Sequence, residues 1–342
     1  MLYRGFGERP HVEDVPDPAV SADGIVVETI ASGICRSDWH GWMGHDPDIS
    51  LPHVPGHELV GKVVEVGKAV NRIKVGVTVT VPFVNGCGAC QWCIAGDHQV
   101  CDRQFQPGFT HWGSFAQYVG LSYADVNAVE LPEGMDAVAA ASLGCRFITA
   151  FRAVVDVGRA KGGEVLAVHG CGGVGLSAIM IAKAVGMTVI GVDISQEALD
   201  LAERCGADMV VNAKNGNPVA PIVDLTGGGA HLSMDALGSG ETCVNSILCL
   251  RKRGRHVQVG LMAGRESDPS LPMHVAIAKE LEILGSHGMQ AHRYPAVFEM
   301  LRTAKIDPAI MVTQRLALDD SVDPLVSMDS LSSTGITMID HF

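Results

Sequence analysis

The sequence predicts an α/β fold in two parts, a β-rich part and a doubly wound parallel sheet. Three observations predict it. Val-rich runs broken by glycine fill the chain before residue 145. Apolar strands alternate with helical stretches after residue 163. A glycine-rich loop sits where the first of those strands meets its helix. The 342 residues suit about two domains at roughly 100–200 residues each. With 47% hydrophobic and 18% charged residues, each part can bury a full core.

The early elements read as β. Segment 25–31 (IVVETIA) is a short β-branched run. Segment 61–83 has Val-rich runs broken by Gly67 and Gly76, with valines alternating at 75, 77, 79 and 81. That is the period of half-buried strands in a compact antiparallel sheet or barrel. Segment 84–105 is cysteine-rich and irregular, and 113–120 is another candidate strand. Beyond 163, strands are expected at 164–170, 188–193, 208–213, 231–237 and 255–261. Helices are expected at 174–185, 196–205, 218–226 and 241–251. Such alternation implies a parallel sheet covered on both faces. A surface helix over 292–306 and a strand-like tail, GITMIDHF, end the chain.

A net charge of −13 without a basic stripe argues against nucleic acid or an anionic membrane surface as partner. No run of about 18 apolar residues suggests a membrane span, and the N-terminus lacks an apolar core of signal-peptide length. Of ten cysteines, four crowd into one short segment. Without a secretion signal, that crowding points to metal rather than disulfides, and to a reduced, cytoplasmic compartment.

Gly170, Gly172 and Gly175 form G-x-G-x-x-G, enclosing Gly173 and Val174. The pattern alone is weak, but here it follows a buried strand and opens a helix. Gly170 permits the tight turn, Gly172 lets backbone approach a pyrophosphate, and Gly175 lets the helix pack closely on the sheet. The helix N-terminus offers unpaired N–H groups to phosphate. Asp193 closes the next strand, near the roughly 20-residue offset expected for an acid on the ribose hydroxyls, which favours NAD over NADP. The plainer reading is a glycine-rich turn in an unrelated α/β protein, with Asp193 as a helix cap.

Cys87, Cys90, Cys93 and Cys101 follow C-x2-C-x2-C-x7-C. Four thiolates make the usual closed structural zinc site, with no position open to substrate. An iron–sulfur cluster is the rival, but its C-x2-C-x2-C-x3-C-P run differs in the last spacing, and Asp102 stands in place of proline. Cys35 in GICRSDWHGW, His57 in VPGHELVG and Cys145 in LGCRFITAF are three further candidate ligands. By spacing alone such residues are more often core than ligands. Together, one imidazole and two thiolates would leave a fourth zinc position open, which is a catalytic arrangement.

The motifs GICRSDWH, PGHELVG, the four-cysteine loop, GCRFITAF and HGCGGVG, in that order, resemble the zinc-containing medium-chain alcohol dehydrogenases over nearly the whole chain. The resemblance implies a GroES-like catalytic domain (1–146 and 287–342) and a Rossmann NAD-binding domain (147–286), with the active site in the cleft between. It implies two zinc ions per chain, a catalytic one on Cys35, His57 and Cys145 and a structural one on the four-cysteine loop, with NAD as cofactor. Glu58 would sit near the catalytic zinc and exchange with its ligands. Arg36 would meet the pyrophosphate. Ser37 would receive the alcohol proton and pass it through the cofactor ribose to His40 and solvent, while Asp38 orients His57. Trp42 and Phe83 match pocket positions.

Plainer readings stand beside these. Ser37 can cap a turn, Asp38 can be an N-cap, His40 can be solvated surface, and Trp42 and Phe83 can be ordinary core. One departure is clear: Gly335 occupies the place where the family often has an arginine on the pyrophosphate. The implied substrate is a small alcohol, or an aldehyde or ketone in reverse, and the implied assembly is a homotetramer, with a dimer second. The rival functions are a zinc-free quinone or enone reductase and a non-catalytic NAD-sensing module on the same fold.

Overall fold

The computed structural model describes residues 1–263, 266–329 and 334–342. Contacts divide the chain into two units, residues 1–148, 288–299 and 307–342, and residues 149–287 with 300–306.

In the first unit the chain forms β1 (Ile25–Ile34), helix α1 (Arg36–Trp42), β2 (Glu58–Val66), β3 (Thr78–Thr80), β4 (Tyr118–Leu121) and β5 (Val129–Glu130). The second unit holds β6 (Val165–His169), α2 (Gly173–Val185), β7 (Thr188–Asp193), α3 (Gln196–Arg204), β8 (Met209–Asn212), α4 (Val219–Thr226), β9 (Ala230–Asp235), α5 (Gly240–Leu248), β10 (Leu250–Gln258), α6 (Met273–Lys279) and β11 (Glu282–Gly285). Helix α7 (Tyr294–Ala304) follows, and β12 (Val312–Ala317) and β13 (Ile336–His341) complete the first unit.

The first sheet runs β12-β13-β1-β2-β3-β5, with β4 also paired to β1. β1 is antiparallel to β2, β4 and β13, so it lies between partners and is buried along most of its length. Val27, Leu59, Val63, Val79 and Val119 pack in its core. The valine alternation at 75–81 does not make one strand. Gly76, at φ +93°, turns the chain, Val75 is exposed, and the strand is only Thr78–Thr80. The candidate strand at 113–120 begins only at Tyr118, because residues 113–115 donate their N–H groups to the carbonyls of residues 54–56 instead.

The second sheet is parallel throughout, in the order β11-β10-β9-β6-β7-β8. With β6 counted first, this is the doubly wound dinucleotide-fold order. β6 (VLAVH) is buried without alternation because helices cover both faces. β10 starts at Leu250 and ends at Gln258, earlier than the expected 255–261. A register shift between Leu250 and Arg255, with Arg253 at φ 63°, hides the strand's start in a polar run. Three strands have no signal in the sequence reading: β5, β11 and β12. Helix α7 is not a surface helix throughout, since Tyr294 and Val297 are fully buried. No helix among the described residues is long and apolar enough to cross a membrane.

Candidate metal centre and dinucleotide loop

β1 ends at Ile34 and delivers Cys35 as the residue that starts α1. Asp38, one turn on, reaches back: its Oδ2 accepts the Cys35 N–H at 2.8 Å. Its Oδ1 accepts the Gly56 N–H at 3.0 Å and faces His57 Nδ1 at 2.9 Å. Asp38 is therefore not the N-cap, which is Cys35, but the third residue of the helix, closing a capping box with Cys35 while its other oxygen faces His57. Cys145 arrives on a π-helical turn, Leu143–Phe147, a distortion that recurs at functional sites. Gly144 is required there, because a Cβ would meet Glu58 Cα at 2.9 Å.

These elements bring Cys35, His57, Glu58 and Cys145 together, with ligand atoms within 4.8 Å of one another. All four are buried. Hydrogen bonding from the Cys145 thiol, with the Arg146 charge and His57 adding to it, holds the Cys35 thiol well below its ordinary pKa. Burial opposes a charge on His57, but Asp38 and Cys35 outweigh it and push its pKa well up. The pocket thus favours positive charge at the imidazole. His57 Nε2 is nevertheless buried without a hydrogen-bond partner. A buried, unpaired ring nitrogen clustered with two thiols, with its other nitrogen fixed on a carboxylate, suits a zinc ligand set.

Glu58 stays beside these ligand atoms, and its carboxylate is held there by a residue that the sequence reading missed. Arg146 donates to it through Nε and Nη2, and the Arg146 Nε–Oε1 bond is 2.9 Å. The Arg146 backbone N–H adds a third bond at 3.1 Å. Gly33 leaves room for this pair, since a Cβ there would overlap the Glu58 carboxylate. The signal available in the sequence was Arg146 beside Cys145, a charge in an apolar run. Burial raises the Glu58 pKa, with Arg146 opposing.

Phe83 packs with Cys35, Val84 and Cys145. Phe109, also missed, lies tilted against His57, with ring centroids 4.9 Å apart. Trp42 goes elsewhere. It lies in the core with Leu2, Tyr3, Trp39 and Phe115, and its indole N–H donates to the Glu8 carbonyl at 2.6 Å. Ser37 Oγ is 3.8 Å from Cys35 Sγ. His40 is half-buried, its Nδ1 is 2.9 Å from His45 Nδ1, and burial pushes its pKa down to about 4. Arg36 donates to the Met328 carbonyl and pairs with Asp329, both at 3.1 Å. Gly335 sits at φ +88°, where a Cβ would meet Thr313 and Met311, so the turn into β13 excludes an arginine there.

The four-cysteine segment folds around its thiols. Cys87, Cys90, Cys93 and Cys101 gather within the same 4.8 Å limit, with Cys90 and Cys101 sulfurs 3.7 Å apart. Cys101 Sγ accepts the Cys87 and Arg103 N–H groups, each at 3.3 Å, and Arg103 also reaches Cys87 Sγ at 3.4 Å. Burial opposes ionisation of Cys87, but the Ala89 and Cys90 N–H groups, Cys101 and Arg103 hold it down to about 6. Asn127, the last residue of the helical turn Ala124–Asn127, anchors the segment by bonding both the N–H and the carbonyl of Gly86. None of the ten cysteines is in a disulfide.

In the second unit, Gly170 takes φ +94° at the end of β6. A Cβ on Gly175 would overlap the Gly170 carbonyl, while a Cβ on Gly172 would enter open space. Gly172 thus leaves open space beside the first turn of α2, where Gly173 and Val174 begin the helix. Asp193, at the end of β7, accepts the Cys171 N–H at 2.8 Å and the Ser195 N–H at 2.9 Å. Ser195, not Asp193, caps α3.

Residues 21–133 match the alcohol dehydrogenase GroES-like domain family, and residues 173–303 the zinc-binding dehydrogenase family. The chain is 35% identical over 283 residues to an alcohol dehydrogenase of Geobacillus stearothermophilus, covering 82% of each. It is 30% identical over 340 residues to an NAD-dependent alcohol dehydrogenase of Sulfurisphaera tokodaii, covering 96% of each. A solved alcohol dehydrogenase from a Thermus species matches with a TM-score of 0.91 at 26% identity, over 100% of this chain and 99% of that one.

Proposed function

The chain belongs to the zinc-dependent medium-chain alcohol dehydrogenase family, and on that premise we propose that it oxidises small alcohols to aldehydes or ketones, reversibly, with NAD. The observation that carries the reading is His57: its Nε2 is buried without a hydrogen-bond partner, the ring stands with the Cys35 and Cys145 thiols in one cluster of ligand atoms, and its Nδ1 is fixed by Asp38. Cys35, His57 and Cys145 would hold a zinc ion, which would supply Lewis acidity to a bound alcohol, and NAD would supply the two-electron acceptor.

The chain's own residues do the rest. Asp38 holds the His57 tautomer and ring angle. Arg146 neutralises Glu58 and keeps that carboxylate engaged. Ser37 takes the alcohol proton, and His40 conducts it toward solvent. Phe83 and Phe109 give the pocket an apolar wall that excludes water. Arg36 meets the cofactor phosphates. Its exposed pair with Asp329 contributes only about 0–1 kcal/mol, so an anionic ligand displaces it easily. Gly172, Gly173 and Val174 present N–H groups to the pyrophosphate, and Asp193 receives the ribose hydroxyls. Cys87, Cys90, Cys93 and Cys101 hold a second, structural zinc.

The test is metal analysis with a panel of alcohols assayed on NAD and NADP. Two zinc ions per chain and NAD-linked oxidation are expected. Cys35→Ala is expected to abolish turnover while NAD still binds. Retained turnover in that variant overturns the assignment.

A further inference from the structure

We propose that His45 is the outer station of the proton path that leaves through His40. The inference rests on the reading of His40 as the relay group, and it starts from their contact. The two Nδ1 atoms stand 2.9 Å apart, with ring centroids at 5.2 Å.

The contact is built by the local fold. Helix α1 ends at Trp42, and Gly44, at φ +76°, reverses the chain. The His45 N–H then donates to the His40 carbonyl at 3.0 Å. Phe6 packs over Gly44, where a Cβ would meet its ring at 2.9 Å, so the turn is held from outside. Trp39 presents edge contacts to both imidazoles, at 5.0 and 5.7 Å. Exposure rises along the path: Ser37 and His40 are half-buried, and His45 is exposed.

Two imidazole Nδ1 atoms at hydrogen-bond distance hold one proton between them, donor on one ring and acceptor on the other. The groups acting on His40 are Arg36, Cys35 and His45, with Asp329 paired to Arg36, and burial with the Arg36 charge disfavours a lasting charge on its ring. A proton that arrives at His40 Nε2 is therefore passed on. The Nδ1 proton crosses to His45 Nδ1, and the Nε2 proton of His45 leaves to water. One proton enters, one leaves, and the bridging proton has shifted from one ring to the other. That arrangement is the one from which the reverse reaction draws its proton, and the next forward turnover needs both rings back in their first tautomers, by proton exchange with water at the half-buried His40 as well as at the exposed His45. His45 touches no reacting atom and acts through His40.

The experiment compares the zinc-loaded wild type with His45→Gln and His45→Phe. In the variants kcat is expected to fall about tenfold, less than the roughly 10²–10⁴-fold of a group that exchanges its proton with the reacting atoms, because His45 acts through His40. The KM values for alcohol and NAD should hold, the solvent isotope effect should rise, and added imidazole should restore kcat. Ring 15N spectra of the wild type should show one proton shared by His40 and His45, and His40 should titrate at higher pH once His45 is replaced. Unchanged kcat, a loss that imidazole does not rescue, or ring spectra without a shared proton overturns the proposal. Wild-type turnover of alcohols reports separately on the underlying reading. If that turnover is absent, the reading fails, and the ring spectra still decide whether the pair exists.

Discussion

Asp38 shows how one side chain can serve both a helix and a site. Both carboxylate oxygens are committed, to the Cys35 N–H on one side and to Gly56 N–H and His57 Nδ1 on the other. Asp38→Asn keeps the shape but loses charge and leaves the imidazole orientation to chance. Loss of an outer-shell partner of this kind weakens metal affinity by about 10–100-fold. A competition titration with a chromogenic chelator should show that loss at one of two zinc equivalents, and unchanged retention of both would refute the role. Arg146 makes a second residue-scale case. Arg146→Met strands a buried Glu58 carboxylate, which costs about 3–5 kcal/mol, and a companion Glu58→Gln should recover most of it. Denaturant unfolding of the single and double variants measures both values. If the single variant is as stable as wild type, the pair is not what holds Glu58. Ligand types were legible in the sequence, because Cys35, His57 and Cys145 lie in motifs that resemble a known family. Partners were not: Arg146 meets Glu58 across 88 residues, and nothing local in the sequence reports that.

At the scale of elements, legibility followed the range of the interaction that fixes each one. The loop from β6 into α2 was readable because its demands are local: a left-handed turn at Gly170, open space at Gly172 and backbone contact at Gly175. The same holds for α3, capped by Ser195 within its own sequence. β5 and β12 were not readable, since VE and VTQRLA have no distinctive period and become strands only by pairing with β3 and β13. Asp193 links two such elements, because it accepts N–H groups from the glycine loop and from the start of α3. Asp193→Gly is expected to raise the KM for NAD about tenfold, the equivalent of a lost charged hydrogen bond, and to relax discrimination against NADP. Asp193→Asn keeps an acceptor for the backbone while removing the charge, so it should relax discrimination with less loss of stability. An unchanged NAD-to-NADP ratio in both variants would remove Asp193 from cofactor selection.

For the whole molecule, the apolar strand runs between helices announced the parallel sheet, but not the polar groups built into it. His169 and His256 are fully buried on β6 and β10. His256 Nδ1 lies 2.9 Å from Ser246 Oγ and its Nε2 3.3 Å from Gln258, while His169 Nε2 lies 3.6 Å from Cys249 Sγ. Burial, with mutual repulsion at His169, pushes their pKa values down to about 3 for His169 and about 4 for His256. Both rings are therefore neutral in the fold, whereas the unfolded chain protonates them near pH 6.5. Below that pH the unfolded state binds more protons than the native one, so stability falls as pH falls. Each histidine contributes up to about 1.4 kcal/mol per pH unit, from about pH 6.5 down to its folded pKa. Cys87, held down to about 6, also titrates in the window from pH 6.5 to 5, so the share of His256 is read as the difference between the wild type and a single variant. Replacing His256 with Gln keeps a polar side chain of similar reach and removes one titrating group. Unfolding free energy measured across that window should then fall less steeply with acid than in the wild type, by close to one proton's worth of slope. Equal slopes in the two proteins would mean that His256 takes its proton in the folded state as readily as in the unfolded chain, and the neutral buried network would have to be abandoned.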